Sequence, residues 1–468
     1  MKRLELFRNY PHRKIAAGVI TRNDIAGFGS SYRLPQYAVL QLKDITDPSR
    51  HVVLTFDLEG RLTNILMQER GLANEAFILE RNFNGRFYLY TENHKNLEPG
   101  HDGVDLFVDY WNKFVGSDNE TAKFLVDSVH NLLLQLSAVQ YKTNGQLTFT
   151  KVDGETLTHD PVNVSKLDER VAAILAKAQK NYGWKGLTAN KLYYDAYPTP
   201  ITVLPPDLRP DQTPTYAVIQ TVSGCPRMRT GKACGFCASY NGIQYREKTL
   251  TELNSHIGKV KQFHGAGWPY IKRVFLSDGD PLNTISIDAA TYLESIDEAI
   301  PGLIGMRSFV STMTILSKPV DEWITLMGKG LEGVYWGVES ADDATLHMLG
   351  KHHNQKMLYE AVQRLEESEV PYAIIVMSGI GALDPDRTAR QVTGNSHVSS
   401  TTRFIERANP FNIYISKFMP VPGTPIYDLI QAGKLKELTP EELDKQHHTM
   451  VNNLFPREVK GEYGQQFV

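Results

Sequence analysis

The chain has 468 residues, of which 41% are hydrophobic and 22% charged, and a net charge of -3. That length exceeds one ordinary domain, the mixed charge excludes wholesale disorder, and near-neutrality excludes a whole-chain basic footprint for nucleic acid. No apolar run reaches the ~18–20 residues of a membrane helix, and the basic start MKRLELFRNYPHRK lacks the apolar stretch of a signal peptide, so a soluble, cytoplasmic protein is expected.

In chain order, the alternating segments 38–45, 51–58 and 85–90 predict strands. Residues 121–136 and 167–180 have helical periodicity. This mixture predicts an α+β N-terminal domain over residues 1–196. The proline-rich segment 197–214 predicts a linker. Beyond it, mostly apolar strand candidates recur at 216–223, 273–278, 305–312, 333–340, 372–380 and 411–419, as expected of strands covered by helices. Helical signals lie between them. Thr249 and Glu252 form a capping box. Leu358, Ala361, Val362 and Leu365 share one helical face. Thr424–Pro425 and Thr439–Pro440 mark helix starts. Six βα units predict a parallel sheet, a partial (β/α)6 TIM-like barrel over 215–435, with reactive groups at the C-terminal ends of its strands. Residues 436–468 are expected to form a helical tail.

The three cysteines of the chain all lie in CPRMRTGKACGFC, residues 225–237. A secreted disulfide framework would be denser. The set follows the first strand of the α/β region directly, where a loop lies over the mouth of a barrel. Thiolates are the usual ligands of iron–sulfur clusters, and three of them leave one iron of a four-iron cube open. A zinc site, usually four ligands of Cys and His, is the rival reading.

The spacing C-x8-C-x2-C resembles the radical S-adenosylmethionine (SAM) superfamily, whose common form is C-x3-C-x2-C with an aromatic before the last cysteine. Phe236 fills that aromatic position, and the longer first gap departs from the common form but occurs in the elongator catalytic subunit and related proteins. FLSDGDPLN (275–283) resembles the second-strand motif. There the resemblance implies that Asp278, Gly279, Asp280 and Pro281 hold the SAM amino group. YWGVESADDATLHMLGK (335–351) resembles the fourth-strand segment of the branch with coproporphyrinogen dehydrogenase and the methylthiotransferases, which implies that Glu339, with Ser340, contacts the ribose. SGIGALD (378–384) resembles the motif bordering the adenine, implying roles for Gly379 and Ile380. PVPGTPIYD (420–428) resembles a "PGTPL" segment of the same branch, and its local reading is a helix start.

The resemblance implies a [4Fe–4S] cluster on Cys225, Cys234 and Cys237. It implies reductive cleavage of SAM to a 5′-deoxyadenosyl radical, and an electron donor such as flavodoxin or ferredoxin. With only these three cysteines, a second all-cysteine cluster is not expected. No cobalamin signature D-x-H-x-x-G is present, and the short tail disfavours an elongator-type acetyltransferase. A non-enzymatic Fe–S or zinc binding module is the alternative. Among weaker candidates, Arg246, Lys248, Arg307 and Lys417 are cations that could meet a carboxylate. His397 and Thr402 lie in a segment resembling the helix before the sixth strand, with His397 expected on its surface, and the pairs His352–His353 and His447–His448 lack metal spacing.

Overall fold

The computed structural model describes residues 216–454 apart from 231–232, 241 and 382; before them it describes strand segments, Glu59, Lys177 and residues 195–198. The chain divides into two compact units. Residues 1–198, 209–214 and 259–270 form one, and the remaining residues form the other.

In the first unit, six strands run as an antiparallel meander in sequence order. They are β1 (Ile15–Ile20), β2 (Ala38–Asp44), β3 (Arg50–Phe56), β4 (Leu62–Glu69), β5 (Glu75–Arg81) and β6 (Phe87–Asn93). The three expected strands fall on β2, β3 and β6. A second antiparallel sheet contains β7 (Ala138–Tyr141), β8 (Leu147–Thr150) and β9 (Thr156–His159). The helix expected over 121–136 lies outside the described residues, and so does that over 167–180 apart from Lys177. Of the expected linker, only Tyr197 and Pro198 are described, and Tyr197 is fully buried, edge-on to Phe263 at 6.1 Å.

The second unit is built on a six-stranded parallel sheet in sequence order. Its strands are β10 (Tyr216–Ile219), β13 (Arg273–Leu276), β14 (Gly305–Val310), β15 (Leu331–Glu339), β16 (Tyr372–Ser378) and β17 (Asn412–Lys417). Between β10 and β13 a small ribbon pairs β11 (Val222–Ser223) with β12 (Arg246–Glu247). The connections carry α1 (Leu250–His264), α2 (Ala289–Ala299), α3 (Thr312–Ser317), α4 (Val320–Gly328), α5 (Asp343–Met348), α6 (Gln355–Glu367) and α7 (Arg387–Ala408). After β17 come α8 (Pro425–Gln431) and α9 (Pro440–Leu454). All six expected strands of this region form, each within a few residues of its expected bounds.

Local chemistry explains the helix starts. The Glu252 carboxylate accepts the Thr249 N–H at 2.8 Å, while the Thr249 hydroxyl accepts the Glu252 N–H at 3.2 Å. Thr439 and Glu442 repeat this box at α9, and Thr424 caps α8 by accepting the Tyr427 N–H. The core follows the periodicity too. Leu358, Ala361, Val362 and Leu365 are the buried face of α6. Trp336 on β15 sits against Phe404 of α7 at 5.7 Å and donates its indole N–H to the Thr312 hydroxyl of α3. Helices therefore cover that face of the sheet. Among the described residues, no helix is long and apolar enough to cross a membrane.

Candidate functional site

The segments at and after the C-terminal ends of β10, β13, β15 and β16 carry the cysteines, Asp278–Pro281, Glu339–Ser340 and Gly379–Ile380. Cys225 opens the loop after β11, and a short 3-10 helix, Pro226–Thr230, carries it away. All three cysteines are free and half-buried. Burial pushes the Cys225 thiol up to about 12, against a bond from the Arg227 backbone, with Asp280, Cys234 and Cys237 close enough to add to the rise. Burial also raises Cys237. Such thiols carry protons until a bound cation displaces them, which is how metal coordination makes thiolates. Among the described residues, no group of three or more His, Cys, Asp or Glu side chains is arranged to hold a metal ion. The donor set nevertheless fits an iron–sulfur cluster: three thiols on one loop, within electrostatic reach of one another. The next histidine along the chain, His256, does not complete a zinc set, because its Nε2 accepts the Gln220 N–H at 3.0 Å.

Two distant segments clamp the loop through three hydrogen bonds. The Gly235 N–H donates to the Leu349 carbonyl at 2.8 Å, and the Gly235 carbonyl accepts the Ile426 N–H at 2.9 Å. Arg227 donates to the Gly350 carbonyl at 2.6 Å. Phe236 packs on a core of Leu349, Met377, Ile380, Leu383, Phe418 and Ile426. The aromatic before the last cysteine is thus an apolar peg. The PGTP segment, expected only to start a helix, also holds the cysteine loop.

The second-strand motif meets the same loop. A Cβ added at Gly279 would lie 2.5 Å from the Cβ of Cys225, so only glycine lets this turn approach. The Gly279 N–H donates to the Gly224 carbonyl at 3.1 Å. Asp278 adopts φ 87°, unusual for a residue with a side chain. Its Oδ2 is buried and has no hydrogen-bond partner among the described residues. Burial raises Asp278 to about 7 although Lys248 opposes it. Asp280 is raised by burial to about 6 and accepts the Thr314 hydroxyl at 2.6 Å. Pro281 is buried, and its carbonyl lies 3.4 Å from the Thr221 hydroxyl.

Glu339 closes β15 at φ 64°, also in the left-handed region. Its Oε1 takes the Lys351 ammonium at 3.1 Å, with both side chains almost fully buried. Lys351 also donates to the Gly337 carbonyl at 3.1 Å and lies 5.6 Å above the Phe236 ring. Burial alone would lower its pKa, but Glu339 and Cys234 outweigh burial and raise it. Lys351 was not singled out from the sequence, although it ends the same resembling segment. Gly379 has φ 90°, and its N–H donates to the Gln446 side chain on α9. Ile380 is fully buried in the apolar core beneath Phe236.

The weaker candidates fall mostly into protein pairs. Exposed Arg246 pairs with Glu252 at 2.6 Å. Arg307 lies 3.6 Å from Glu332 and donates to the Tyr335 hydroxyl at 3.0 Å. Lys417 pairs with Asp444 at 2.7 Å. Lys248 is buried, 3.2 Å from the Ser223 hydroxyl, and burial lowers it to about 8 despite nearby Asp278. His397, expected on a helix surface, is instead completely buried, and Thr402 is buried as well. The low apolar content of α7 concealed this, since its inward face mixes His397, Thr401 and Thr402 with Val398, Phe404, Ile405 and Ala408. His353 is buried too.

Residues 219–392 match the family model described as the radical SAM superfamily. This part of the chain belongs to that superfamily. No curated protein matches the chain at a significant level. Several solved radical SAM structures are similar to it at low levels. The radical SAM methyltransferase TsrM from Kitasatospora setae is 14% identical with a TM-score of 0.35, covering 45% of this chain and 38% of that one. Methylornithine synthase (PylB) is 15% identical with a TM-score of 0.36, over 52% and 62% of the two chains. Coproporphyrinogen III oxidase (HemN) from Escherichia coli is 11% identical with a TM-score of 0.35, over 51% and 52%. The chain spans less than two thirds of the length of each.

Proposed function

We propose that this chain is a radical SAM enzyme whose Cys225, Cys234 and Cys237 hold one [4Fe–4S] cluster, in a partial (β/α)6 barrel spanning about residues 215–435. The reading is carried by the family match over 219–392, which contains all three cysteines. Such a cluster supplies the electron that cleaves SAM to methionine and a 5′-deoxyadenosyl radical, which takes a hydrogen atom from the substrate.

The chain's own share is positioning and exclusion of water. Asp278, Gly279, Asp280 and Pro281 form the turn that receives the SAM amino group. The left-handed Asp278 and its unpartnered buried oxygen support this, since strain and unmet polar groups gather at functional turns. Glu339, with Ser340, receives the ribose. Lys351 engages Oε1 of Glu339, and Oε2 serves a ribose hydroxyl. Gly379 and Ile380 border the adenine. The N-terminal domain, residues 1–196, selects the substrate or covers it, and a flavodoxin or ferredoxin delivers electrons.

Anaerobic reconstitution with iron, sulfide, dithionite and SAM tests the proposal. About four irons per chain and formation of 5′-deoxyadenosine are expected. Stable zinc binding with no uptake of iron would support a zinc module instead.

A further inference from the structure

Two of the proposed SAM-binding segments lie at neighbouring strand ends: Glu339 closes β15 opposite Val376 of β16, with Ser340 following it, and Gly379–Ile380 follow β16. The side chain between them comes from α7. His397 Nδ1 lies 2.8 Å from the Ser340 hydroxyl, and its Nε2 lies 2.9 Å from the Met377 carbonyl. A carbonyl can only accept, so Nε2 carries the proton and Nδ1 accepts the Ser340 hydroxyl. The Ser340 oxygen in turn accepts the Asp342 N–H at 3.1 Å. The Ser340 hydroxyl thus donates to His397 and accepts from Asp342, and the two imidazole nitrogens have opposite, fixed roles.

The surroundings leave His397 no alternative position. It is fully buried, and burial lowers its pKa to about 4, so it stays neutral at physiological pH. A Cβ on Gly381 would fall 2.2 Å from the His397 Cβ, so the loop after β16 is pressed onto this residue. One turn along α7, the Thr401 hydroxyl accepts the Ala341 N–H at 3.1 Å. One residue earlier, Ser396 donates to Asp342 at 2.6 Å. The inward face of α7 thus supplies three successive supports to the turn that follows Glu339.

We propose that His397 is a positioning residue that sets the separation of the β15 and β16 ends, and so the fit of the SAM ribose and adenine between them. The proposal rests on the SAM-binding reading above. Neither imidazole nitrogen touches SAM in this arrangement. Binding sites tolerate displacements of only about 0.5 Å, so loss of the bridge is felt as lost affinity.

The test compares His397→Leu, His397→Gln and Phe404→Leu in full-length reconstituted protein. Phe404 is a fully buried residue of α7 packed on Trp336 and Tyr359, away from the bridge. Iron content, melting temperature and SAM dissociation constant from anaerobic equilibrium dialysis are read for each. His397→Leu should weaken SAM binding about tenfold or more, and His397→Gln, which keeps a donor for Met377, about threefold. Phe404→Leu should lose comparable stability and keep the wild-type SAM constant. Wild-type affinity in His397→Leu, or equal weakening in Phe404→Leu, would overturn the proposal. If His397→Leu does not fold, His397→Gln decides: a constant equal to wild type overturns the proposal. Wild-type protein that holds iron but binds no SAM would overturn the functional reading itself.

Discussion

The two flanks of the parallel sheet treat polar groups in opposite ways. On the flank of β10 and β13, a left-handed Asp278 keeps one buried oxygen without a partner, beside three half-buried thiols and a buried Lys248. On the flank of β16 and β17, the partners are in place. Ser378 meets His447 at 3.1 Å, Gly379 donates to Gln446, and Lys417 pairs with Asp444. A folded chain gains nothing by leaving buried polar atoms unmet, so the first flank is where a ligand would restore the balance. The second flank is where the protein has spent its own side chains on rigidity. Glu339 stands between them, left-handed like Asp278 but already paired.

The sharpest way to break this contrast is at the thiols. Single Ala substitutions of Cys225, Cys234 or Cys237 should abolish the brown colour and SAM cleavage. A triple Ala variant that still yields 5′-deoxyadenosine would remove the first flank from the chemistry. Next in size is the pair at the boundary. Lys351→Met leaves the Glu339 carboxylate buried and alone, which should cost about 3–5 kcal/mol of stability. Adding Glu339→Gln should return most of it in a denaturant titration. No recovery in the double variant would mean that Lys351 acts mainly through Phe236.

Asp278 sharpens the comparison through pH. Its folded pKa of about 7 lies above the ordinary carboxylate value of 3.8. A raised carboxylate favours the fold at low pH, and the penalty grows as pH rises through 3.8 and is complete above 7. Asp278→Asn removes that penalty and tolerates a positive φ. At pH 8 the variant should therefore be more stable than wild type, by at most about 4 kcal/mol, with the difference vanishing near pH 4. A difference independent of pH would show that the Asp278 charge is already neutralised. Smallest is Thr249→Ala at the α1 cap, remote from both flanks. It should cost about 1 kcal/mol and leave SAM affinity unchanged, as read by melting and dialysis together.

Much of this was legible in the sequence because the signals are local. The six parallel strands announce themselves as apolar runs, and the Thr249–Glu252 and Thr439–Glu442 boxes need only three residues of context. The cysteine motif was legible because its chemistry is concentrated in one loop. What escaped was mediated by long-range packing. Lys351 looks like a solvated lysine until Glu339 and Phe236 are brought to it. His397 lies on a helix whose buried face mixes His397, Thr401 and Thr402 with Val398, Phe404, Ile405 and Ala408, so hydrophobic periodicity alone does not mark it as buried. The link from Ile426 to Gly235 joins two backbone groups and leaves no trace in residue type. The expected strands of the first unit could be placed on β2, β3 and β6, while its expected helices lie outside the described residues apart from Lys177.

That backbone link has a consequence for biosynthesis. The cysteine loop is translated near the middle of the chain, but one of its clamps, the Ile426 N–H, is made only after β17 has been added. A nascent chain that has already exposed all three cysteines therefore still lacks the bond that seats Gly235. The loop is then held only by its earlier bonds to Leu349 and Gly350 until the sixth βα unit leaves the ribosome. On the proposed reading, iron–sulfur loading would be a late event, coupled to completion of the sheet, and chains halted before residue 425 would be expected to present their cysteines without retaining a cluster.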